Sequence, residues 1–565
     1  MKQNLIDSAK AQIRDIILSS LGRLAVKEAV PSEPLPAFTV ERTNDVSHGD
    51  FAANTALVCA KAFKLPPRKI AELIIEEAVL EGTYFEKVEA AGPGFLNFFL
   101  SKGWFGEVIE TVIDSGKDYG KTDFGAGKSV LVEFVSANPT GPMHIGNARG
   151  GALGDCLAEV LSWAGYRVER EFYVNDSGNQ INKFALSLEV RYLQIYKGEE
   201  NVEMPEDAYH GEDIRVHARN FAEAYGDKYV ECDTEERRKA LVDFALPLNI
   251  AKLKEDLEKY RINYDTWFLE SELHNSGAVD EIIEKFKNSG YTYTQDDALW
   301  FKSTEFGEDQ DRVLVRSNGV PTYFVPDVAY HYNKLVTRNF DIAIDILGAD
   351  HHGYIPRMQA AMKALGINCD RLKIIIMQMV RLVKDGETYK LSKRSGKAIT
   401  LNDLLEEVPV DAARFFFNLR EPNTHLDFDL DLAIEKSSQN PVYYVEYAHA
   451  RICSILSNLA EEGIVPNKLS SADMEVLDTS EERALISHLA AFPCEISSSA
   501  AELDPSRLTR YCMETATLFH KFYTACRVKG SEDNIMQARL SLCVASKICL
   551  KNLLDILKIE APEKM

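Results

Sequence analysis

The spacing of apolar residues changes along the chain, and each change marks a region with its own predicted structure. Between Leu5 and Leu21 apolar residues recur at helical intervals, which predicts an amphipathic helix. A short apolar run at residues 95–100 follows a Gly-Pro-Gly turn and predicts a strand. Residues 1–112 are therefore expected to form a small α/β domain.

From about residue 125 the apolar residues form short and nearly continuous runs. The runs at residues 130–135, 342–347 and 372–377 each predict a strand buried on both faces. Helical spacing returns at residues 148–164 and 356–365, and this alternation predicts a doubly wound parallel sheet. We expect one α/β domain at 113–415, with a polar, helix-rich insertion at about 185–260.

Glycine becomes rare beyond residue 440, and helical spacing dominates the rest of the chain. Apolar stripes at residues 443–456 and 540–557 are the clearest examples. They predict a C-terminal α-helical bundle at 441–565, joined to the α/β domain through a connecting segment at 416–440.

Composition narrows the class of protein. The chain has 565 residues, of which 45% are apolar and 27% charged, as is typical of a multidomain globular protein. It contains neither a long apolar span nor the apolar core of a secretion signal, so we expect no membrane contact. The ten scattered cysteines form no Cys-x-x-Cys pair, which favours reduced thiols and a cytoplasmic location. A net charge of −23 argues against nucleic acid as a partner, although the region after residue 507 is locally basic.

A turn rich in proline and glycine links the predicted strand at 130–135 to the helix that follows it. The helix N-terminus offers unpaired N–H groups and a positive dipole end, which suit phosphate. Gly146 would let an adenosine approach the backbone, and His144 can donate to phosphate oxygens as charge develops. An ordinary turn with a surface histidine explains the pattern equally well. The candidate ATP-binding residues of this turn are Ala137, Asn138, Pro139, Thr140, Gly141, Pro142, Met143, His144, Ile145, Gly146 and Asn147.

A second candidate phosphate site follows the last predicted strand of the sheet. Residues 390–397 read Lys-Leu-Ser-Lys-Arg-Ser-Gly-Lys, so four cations lie in a segment that also contains serine and glycine. Lys390, Ser392 and Lys393 could close over a polyphosphate and stabilise a leaving pyrophosphate. Taken alone, a solvated basic loop is the simpler interpretation, and only the pairing with the first turn makes the site specific.

The two segments together resemble a known family. Residues 144–147, His-Ile-Gly-Asn, are similar to the HIGH motif of class I aminoacyl-tRNA synthetases, and residues 390–393 are similar to their KMSKS motif. Residues 132–144, 173–180, 348–354 and 447–452 resemble stretches of the bacterial arginyl-tRNA synthetases. Asn147 departs from the pattern, because it replaces the second histidine and cannot carry a positive charge.

This resemblance implies a Rossmann-like catalytic domain and two kinds of site residue. His144, Asn147, Lys390 and Lys393 are the implied catalytic residues. A guanidinium is planar and always charged, so its pocket needs carboxylates. The resemblance places Glu270, Tyr323 and Asp327 in that pocket, and Tyr323 and Asp327 would share a face if a helix begins there. It also places Asn138 on the α-ammonium of arginine, with His351 nearby.

The implied reaction joins arginine to its tRNA through an arginyl-adenylate. ATP with Mg²⁺, arginine and tRNA are the implied partners, with tRNA bound before activation, and we expect a monomer. The N-terminal domain would touch the tRNA and the bundle would read the anticodon. No tightly bound protein metal is expected, since Asp350, His351 and His352 lack a suitably spaced further ligand. A direct site role for the polar residues 173–180 is as plausible as an Asx-rich turn.

Two other functions stay open from the sequence. A nucleotidylyltransferase uses a similar His-x-Gly-His turn, although such enzymes are much shorter and have no C-terminal bundle. A non-catalytic tRNA-binding relative is the other alternative. Asn147 slightly favours it, whereas the intact lysines at 390 and 393 oppose it.

Overall fold

The N-terminal region is a small α/β unit. The computed structural model describes residues 4–32, 35–43, 45–389 and 399–565. Helix α1 packs its apolar stripe against the rest of this unit. Asn4 caps the helix N-terminus by accepting from the N–H groups of Ile6 and Asp7. The antiparallel sheet has the order β1-β2-β4-β3. The elements are α1 (Leu5–Val26), β1 (Val40–Arg42), β2 (Phe51–Ala53), α2 (Thr55–Phe63), α3 (Pro67–Glu77), β3 (Phe85–Ala91), β4 (Phe95–Leu100) and α4 (Lys102–Ser115).

A parallel sheet forms the centre of the molecule. Its strands are paired in the order β12-β11-β5-β6-β7. The chain forms β5, β6 and β7 in sequence towards one edge of the sheet, and it later adds β11 and β12 on the other side of β5. In such sheets ligands bind at the carboxyl ends of the strands, where the order reverses. The elements that build it are β5 (Ser129–Glu133), α5 (Ile145–Trp163), β6 (Arg167–Val174), α6 (Gly178–Lys197), α7 (Glu212–Tyr225), α8 (Thr234–Lys259), β7 (Thr266–Leu269), α9 (Glu270–Asn275), α10 (Ala278–Asn288), β8 (Thr292–Gln295), β9 (Ala298–Phe301), β10 (Arg312–Val315), α11 (Phe324–Tyr332), β11 (Ile342–Gly348), α12 (Tyr354–Ala364) and β12 (Leu372–Met377).

The helices α6, α7 and α8 lie between β6 and β7 and have a core of their own. Phe184, Tyr192 and Phe221 are among its buried residues, and this core is separate from the one beneath the sheet. The helices therefore form a helical block inserted between two strands of the parallel sheet. A second excursion, β8 to β10, is a small antiparallel sheet that precedes α11.

The chain then crosses to a helical bundle at the C-terminus. The crossing contains β13 (Val380–Lys384), β14 (Glu387–Thr388), α13 (Leu401–Glu407), α14 (Val410–Phe417), β15 (Leu426–Asp429) and α15 (Leu430–Ile434). The bundle contains α16 (Pro441–Glu461), α17 (Ser480–Ala490), α18 (Phe492–Glu502), α19 (Ser506–Ala525) and α20 (Asp533–Leu557). The predicted fold class, with its parallel sheet, N-terminal α/β domain and C-terminal bundle, is confirmed.

Buried polar contacts join the bundle to the sheet domain. Arg414 on α14 is fully buried and donates to Asp155 on α5 at 2.6 Å. The same guanidinium donates to the carbonyl of Leu557, the last residue of α20, at 2.9 Å. Asn552 on α20 donates to the carbonyls of Gly116 and Tyr119 at 3.0 Å each. Helix α20 is therefore bonded to the segment that precedes β5 and, through Arg414, to the sheet domain.

No helix within the described ranges is both long and apolar enough to cross a bilayer.

Candidate active site

The central strand β5 ends in a strained turn. The sequence pattern predicts a strand as far as residue 135, but β5 stops at Glu133 because Val135 and Ser136 have positive φ values of 68° and 41°. Such a conformation is costly for a β-branched residue and persists only where its surroundings hold it. Ser136 is held through its hydroxyl, which donates to Glu133 at 2.8 Å and accepts from the N–H of Tyr173 at 3.1 Å.

Helix α5 begins at the far end of this turn. His144 is its N-cap residue, and the side-chain oxygen of Asn147 accepts the His144 N–H at 3.0 Å. Asn147 therefore fixes the helix start through its neutral amide oxygen. A protonated histidine could not take this role, because it has no acceptor atom for the N–H of His144. The exposed His144 side chain and the first residues of α5, Gly146 and Asn147, line a large cavity of about 920 Å³.

Most of the predicted ATP-binding residues line this cavity. They are Ala137, Asn138, Thr140, Gly141, Pro142, His144, Gly146 and Asn147, and His351 lines it from the end of β11. Pro139, Met143 and Ile145 lie behind the lining and support it through their backbone. The carbonyl of Pro139 accepts from Asn249 at 2.9 Å, and that of Met143 accepts from the N–H of Leu401 at 2.9 Å.

The second predicted phosphate segment can be placed only by its flanks. Lys390, Ser392 and Lys393 lie outside the described residues. The residues that follow them return to the first turn, because Thr400 pairs with His144 as an isolated antiparallel bridge. The carbonyl of Ile399 also accepts the N–H of Ile145 at 3.3 Å. The chain that leaves the lysine-rich segment therefore meets the start of α5.

A smaller acidic pocket adjoins the large cavity. It has a volume of about 400 Å³, and the predicted residues Glu270, Tyr323 and Asp327 line it together. Tyr323 precedes α11 and Asp327 lies in its first turn, as their four-residue spacing predicts. Glu270 starts α9 at the carboxyl end of β7 and is only 7% exposed. Two carboxylates therefore share one small pocket at the edge of the sheet.

The pocket holds these carboxylates in an unfavourable environment when no cation is present. Burial raises the pKa of Asp327 to about 7, His331 opposes this rise, and the charge of Glu270 adds to it. Burial also raises the pKa of Glu270, against the influence of His274. Burial disfavours the charged form of both carboxyl groups. A cation that enters the pocket would favour that charged form and would in turn be bound by it.

Several residues of the acidic pocket escaped the sequence-based site prediction. Asn175 donates to Glu270 at 3.1 Å when its amide is turned so that the nitrogen faces the carboxylate. Tyr173 also interacts with Glu270 and opposes the rise in the pKa of its carboxyl. Gln180 lines both cavities and so marks where they meet. Their polar run at the end of β6 was the available signal, and it could not distinguish a site from a turn.

The two adjoining cavities suit a substrate with a cationic side chain beside a nucleotide. The acidic pocket offers acceptors for a guanidinium, whereas the large cavity offers a helix N-terminus and a histidine for phosphate. Among the described residues, no group of three or more histidine, cysteine or acidic side chains could hold a metal ion. The arrangement is suited to positioning substrates and stabilising charge.

The parallel sheet, the His-x-Gly turn at its carboxyl edge and the C-terminal bundle define a class I aminoacyl-tRNA synthetase. The family model described as "tRNA synthetases class I (R), catalytic domain" matches residues 108–454. The model "Arginyl tRNA synthetase N terminal domain" matches residues 11–100, and "DALR anticodon binding domain" matches residues 445–565. The chain belongs to the arginyl-tRNA synthetase family.

Individual relatives agree over the full length of the chain. An arginine–tRNA ligase of Caldanaerobacter subterraneus subsp. tengcongensis is 53% identical over 563 residues, which cover 100% of both chains. One of Acetivibrio thermocellus is 51% identical over 567 residues, again with 100% coverage of both. The Thermus thermophilus arginyl-tRNA synthetase structure, at 22% identity, supports the fold alone, with a TM-score of 0.74 over 98% of this chain and 100% of that one. These matches confirm the predicted arginine–tRNA ligase of class I and do not favour a nucleotidylyltransferase.

Proposed function

We propose that the two adjoining cavities perform the first step of arginine–tRNA ligation, with the acidic pocket taking the arginine side chain and the large cavity taking ATP. The observation that carries this proposal is the junction of the cavities at Gln180. Arginine seated against Glu270 and Asp327 would extend its α-carboxylate towards the turn that ends at His144.

The reaction follows from this arrangement. A carboxylate oxygen of arginine attacks the α-phosphorus of ATP, the bond to the β-phosphate breaks, and pyrophosphate leaves with the electron pair. A hydroxyl of the terminal adenosine of tRNA then attacks the arginyl carbonyl and AMP leaves. Mg²⁺ bound with the nucleotide would offset the phosphate charge. We assign no tightly bound metal to the protein itself.

The predicted catalytic and arginine-binding residues have proposed roles in these steps. His144 donates to the phosphate oxygens, and Asn147 fixes the start of α5, whose positive dipole end would favour the same charge. Lys390 and Lys393 are proposed to hold the leaving pyrophosphate. Asn138 lines the nucleotide cavity and would bind the α-ammonium of arginine, with His351 across the cavity. Tyr323, 62% exposed, would cover the guanidinium at the mouth of the acidic pocket.

The wider assignments extend the same proposal. We propose domain boundaries at 1–112, 113–415 and 441–565, with a connecting segment at 416–440 and the inserted helical block at about 185–260. The N-terminal domain and the bundle would hold the tRNA on either side of the sheet domain. A monomer in the cytoplasm is the proposed working state.

Arginine-dependent exchange of labelled pyrophosphate into ATP tests the proposal, with and without cognate tRNA. Exchange that requires both arginine and tRNA is the expected result. Exchange with arginine alone would contradict the proposed order of binding. The absence of exchange under every condition, with tRNA binding retained, would favour a non-catalytic tRNA-binding relative.

A further inference from the structure

Beneath both cavities, acidic side chains lie side by side on adjacent strands of the parallel sheet. Asp345 on β11 is in register with Glu133 on β5, and Glu133 is in register with Glu171 on β6. All three are at least nine-tenths buried, with 2%, 7% and 0% of their surface exposed. A row of buried carboxylates is costly unless cations and hydrogen-bond donors compensate it.

The compensating groups come from one segment that crosses the row. Lys334 is fully buried in the turn that continues α11, and its ammonium contacts Glu133 and, at 2.7 Å, Asp345. Tyr330 donates to Glu171 at 2.6 Å, and Arg338 bonds to the same carboxylate. Burial alone would lower the pKa of Lys334, but Asp345 and Glu133 raise it above its usual value. Lys334 is therefore a permanent cation at the centre of the row.

On one side, this row reaches the nucleotide turn. The carboxylate of Glu133 that contacts Lys334 also accepts the hydroxyl of Ser136 at 2.8 Å. Ser136 is the second residue with positive φ in the strained turn that leads to His144. Because strain of this kind persists only where neighbours oppose its relaxation, Glu133 determines where the turn begins.

On the other side, the same row reaches the acidic pocket. His331 bridges Asp345, at 2.6 Å, and the backbone carbonyl of Asp327, at 2.7 Å. Asp327, His331 and Lys334 are spaced by four and three residues, so they follow one face of α11 and its continuation. A shift of Lys334 would therefore move the first turn of α11, which carries a pocket carboxylate.

We propose that Glu133 and Lys334 are positioning residues whose contact holds the nucleotide turn and the acidic pocket in fixed relation to each other. Neither residue lines a cavity among the described linings, so both act through Ser136 and through α11. The inference rests on the proposed function, because it assumes that arginine and ATP occupy these two cavities. Reacting groups must meet within a fraction of an ångström, and a displacement of about 1 Å can cost on the order of 10²-fold in rate.

A buried ion pair can also serve stability alone, and the chain offers a matched control for that case. Arg414 is as deeply buried as Lys334 and also pairs with a carboxylate, Asp155, but it joins the bundle to the sheet domain. Arg414→Met removes a buried cation without touching either cavity. The comparison of Lys334→Met with Arg414→Met therefore separates lost positioning from lost stability.

The decisive variant is Glu133→Gln, which keeps the shape of the side chain and an oxygen for Ser136 but removes the charge that faces Lys334. Each variant is purified as the full chain. Pyrophosphate exchange is then measured with arginine and tRNA, and rates are divided by the active-site concentration. We expect kcat to fall by about 10- to 100-fold for Glu133→Gln and Lys334→Met, with KM values for arginine and ATP changed less than about threefold.

The double variant sharpens the test. If the two residues act as one contact, Glu133→Gln with Lys334→Met should lose no more kcat than the worse single variant. Arg414→Met should lower the melting temperature and leave kcat per active site unchanged. An unchanged kcat for Glu133→Gln, or a rise in both KM values alone, would overturn the inference. The proposed function fails separately, if the unaltered protein shows no arginine-dependent exchange.

Discussion

The two halves of the candidate site recognise charge by different means. The acidic pocket is small, about 400 Å³, and depends on the side chains of Glu270 and Asp327. The nucleotide cavity, about 920 Å³, is lined by the turn before α5, the start of α5 and the residues at the ends of β11 and β12. A guanidinium can be matched only by carboxylates, whereas phosphate can be bound by N–H groups that every residue carries.

This difference predicts unequal sensitivity to mutation. Each carboxylate of the acidic pocket supplies a charge that nothing else in the pocket replaces, so one substitution should remove specificity. In the nucleotide cavity the dipole of α5 and several side chains would share the binding, and single side chains should affect rate more than affinity. Substitutions in each cavity and a change of pH would test this contrast.

Asp327→Ala should abolish arginine use. Loss of one partner of a buried charge pair leaves the other uncompensated, so kcat/KM for arginine should fall by about 10³-fold. Steady-state exchange at varied arginine measures it, and the affinity for ATP should not change. Glu272→Ala, which removes an exposed acid on α9, is the matched control. Retained arginine use in Asp327→Ala would remove this residue from the pocket.

His144→Ala should lower kcat and spare both KM values. A donor that acts on developing charge contributes on the order of 10²- to 10³-fold in rate. Exchange kinetics at saturating and limiting ATP separate the two parameters. A rise in the KM for ATP at constant kcat would mean that His144 binds the ground state, and the contrast between the two cavities would then weaken.

The KM for arginine should depend on pH, and the KM for ATP should depend on it much less. Burial, with the charge of Glu270 adding to it, raises the pKa of Asp327 to about 7, so acidification protonates the pocket. From about pH 8 to about pH 6 the KM for arginine should rise about tenfold. The raised pKa also predicts that this group's contribution to stability is lost as pH rises through about 7 in the ligand-free protein. Equal pH dependence for both substrates would contradict the prediction.

Asn249→Ala should have the smallest effect. Asn249 on α8 donates to the carbonyl of Pro139 at 2.9 Å and contacts His217 at 2.7 Å, so it attaches the inserted helical block to the nucleotide turn. Loss of one hydrogen bond costs about 0.5–1.5 kcal/mol, which corresponds to a two- to tenfold change in the KM for ATP. Asn201→Ala, in the same block but remote from the turn, serves as the control. No change in Asn249→Ala would show that the turn is held without the block.

Local features of the site could be predicted from the sequence. The His-x-Gly turn follows an apolar run directly, and the spacing of Tyr323 and Asp327 matches one helical turn. Both depend on neighbours in the chain, which periodicity describes well. The fold class followed from the same alternation of strands and helices.

Features that depend on pairing between distant segments could not be predicted in this way. The register that aligns Glu133, Glu171 and Asp345 is set by the sheet, so no local pattern reveals it. The end of β5 at Glu133 is another example, because contacts of Ser136 override the strand preference of Val135. Lys334 looks like a surface lysine in the sequence, and only the assembled sheet shows that it is buried.

The guanidinium of Arg414 gives the last helix of the bundle an unexpected place in the assembly of the enzyme. Two of its acceptors, Asp155 and the carbonyl of Tyr260, lie in the sheet domain, while a third belongs to Leu557 near the end of the chain. During synthesis the sheet domain emerges before α20, so this cation is fully compensated only after α20 has been made. The buried contact that joins the bundle to the sheet domain is therefore completed after the sheet domain itself has been synthesised.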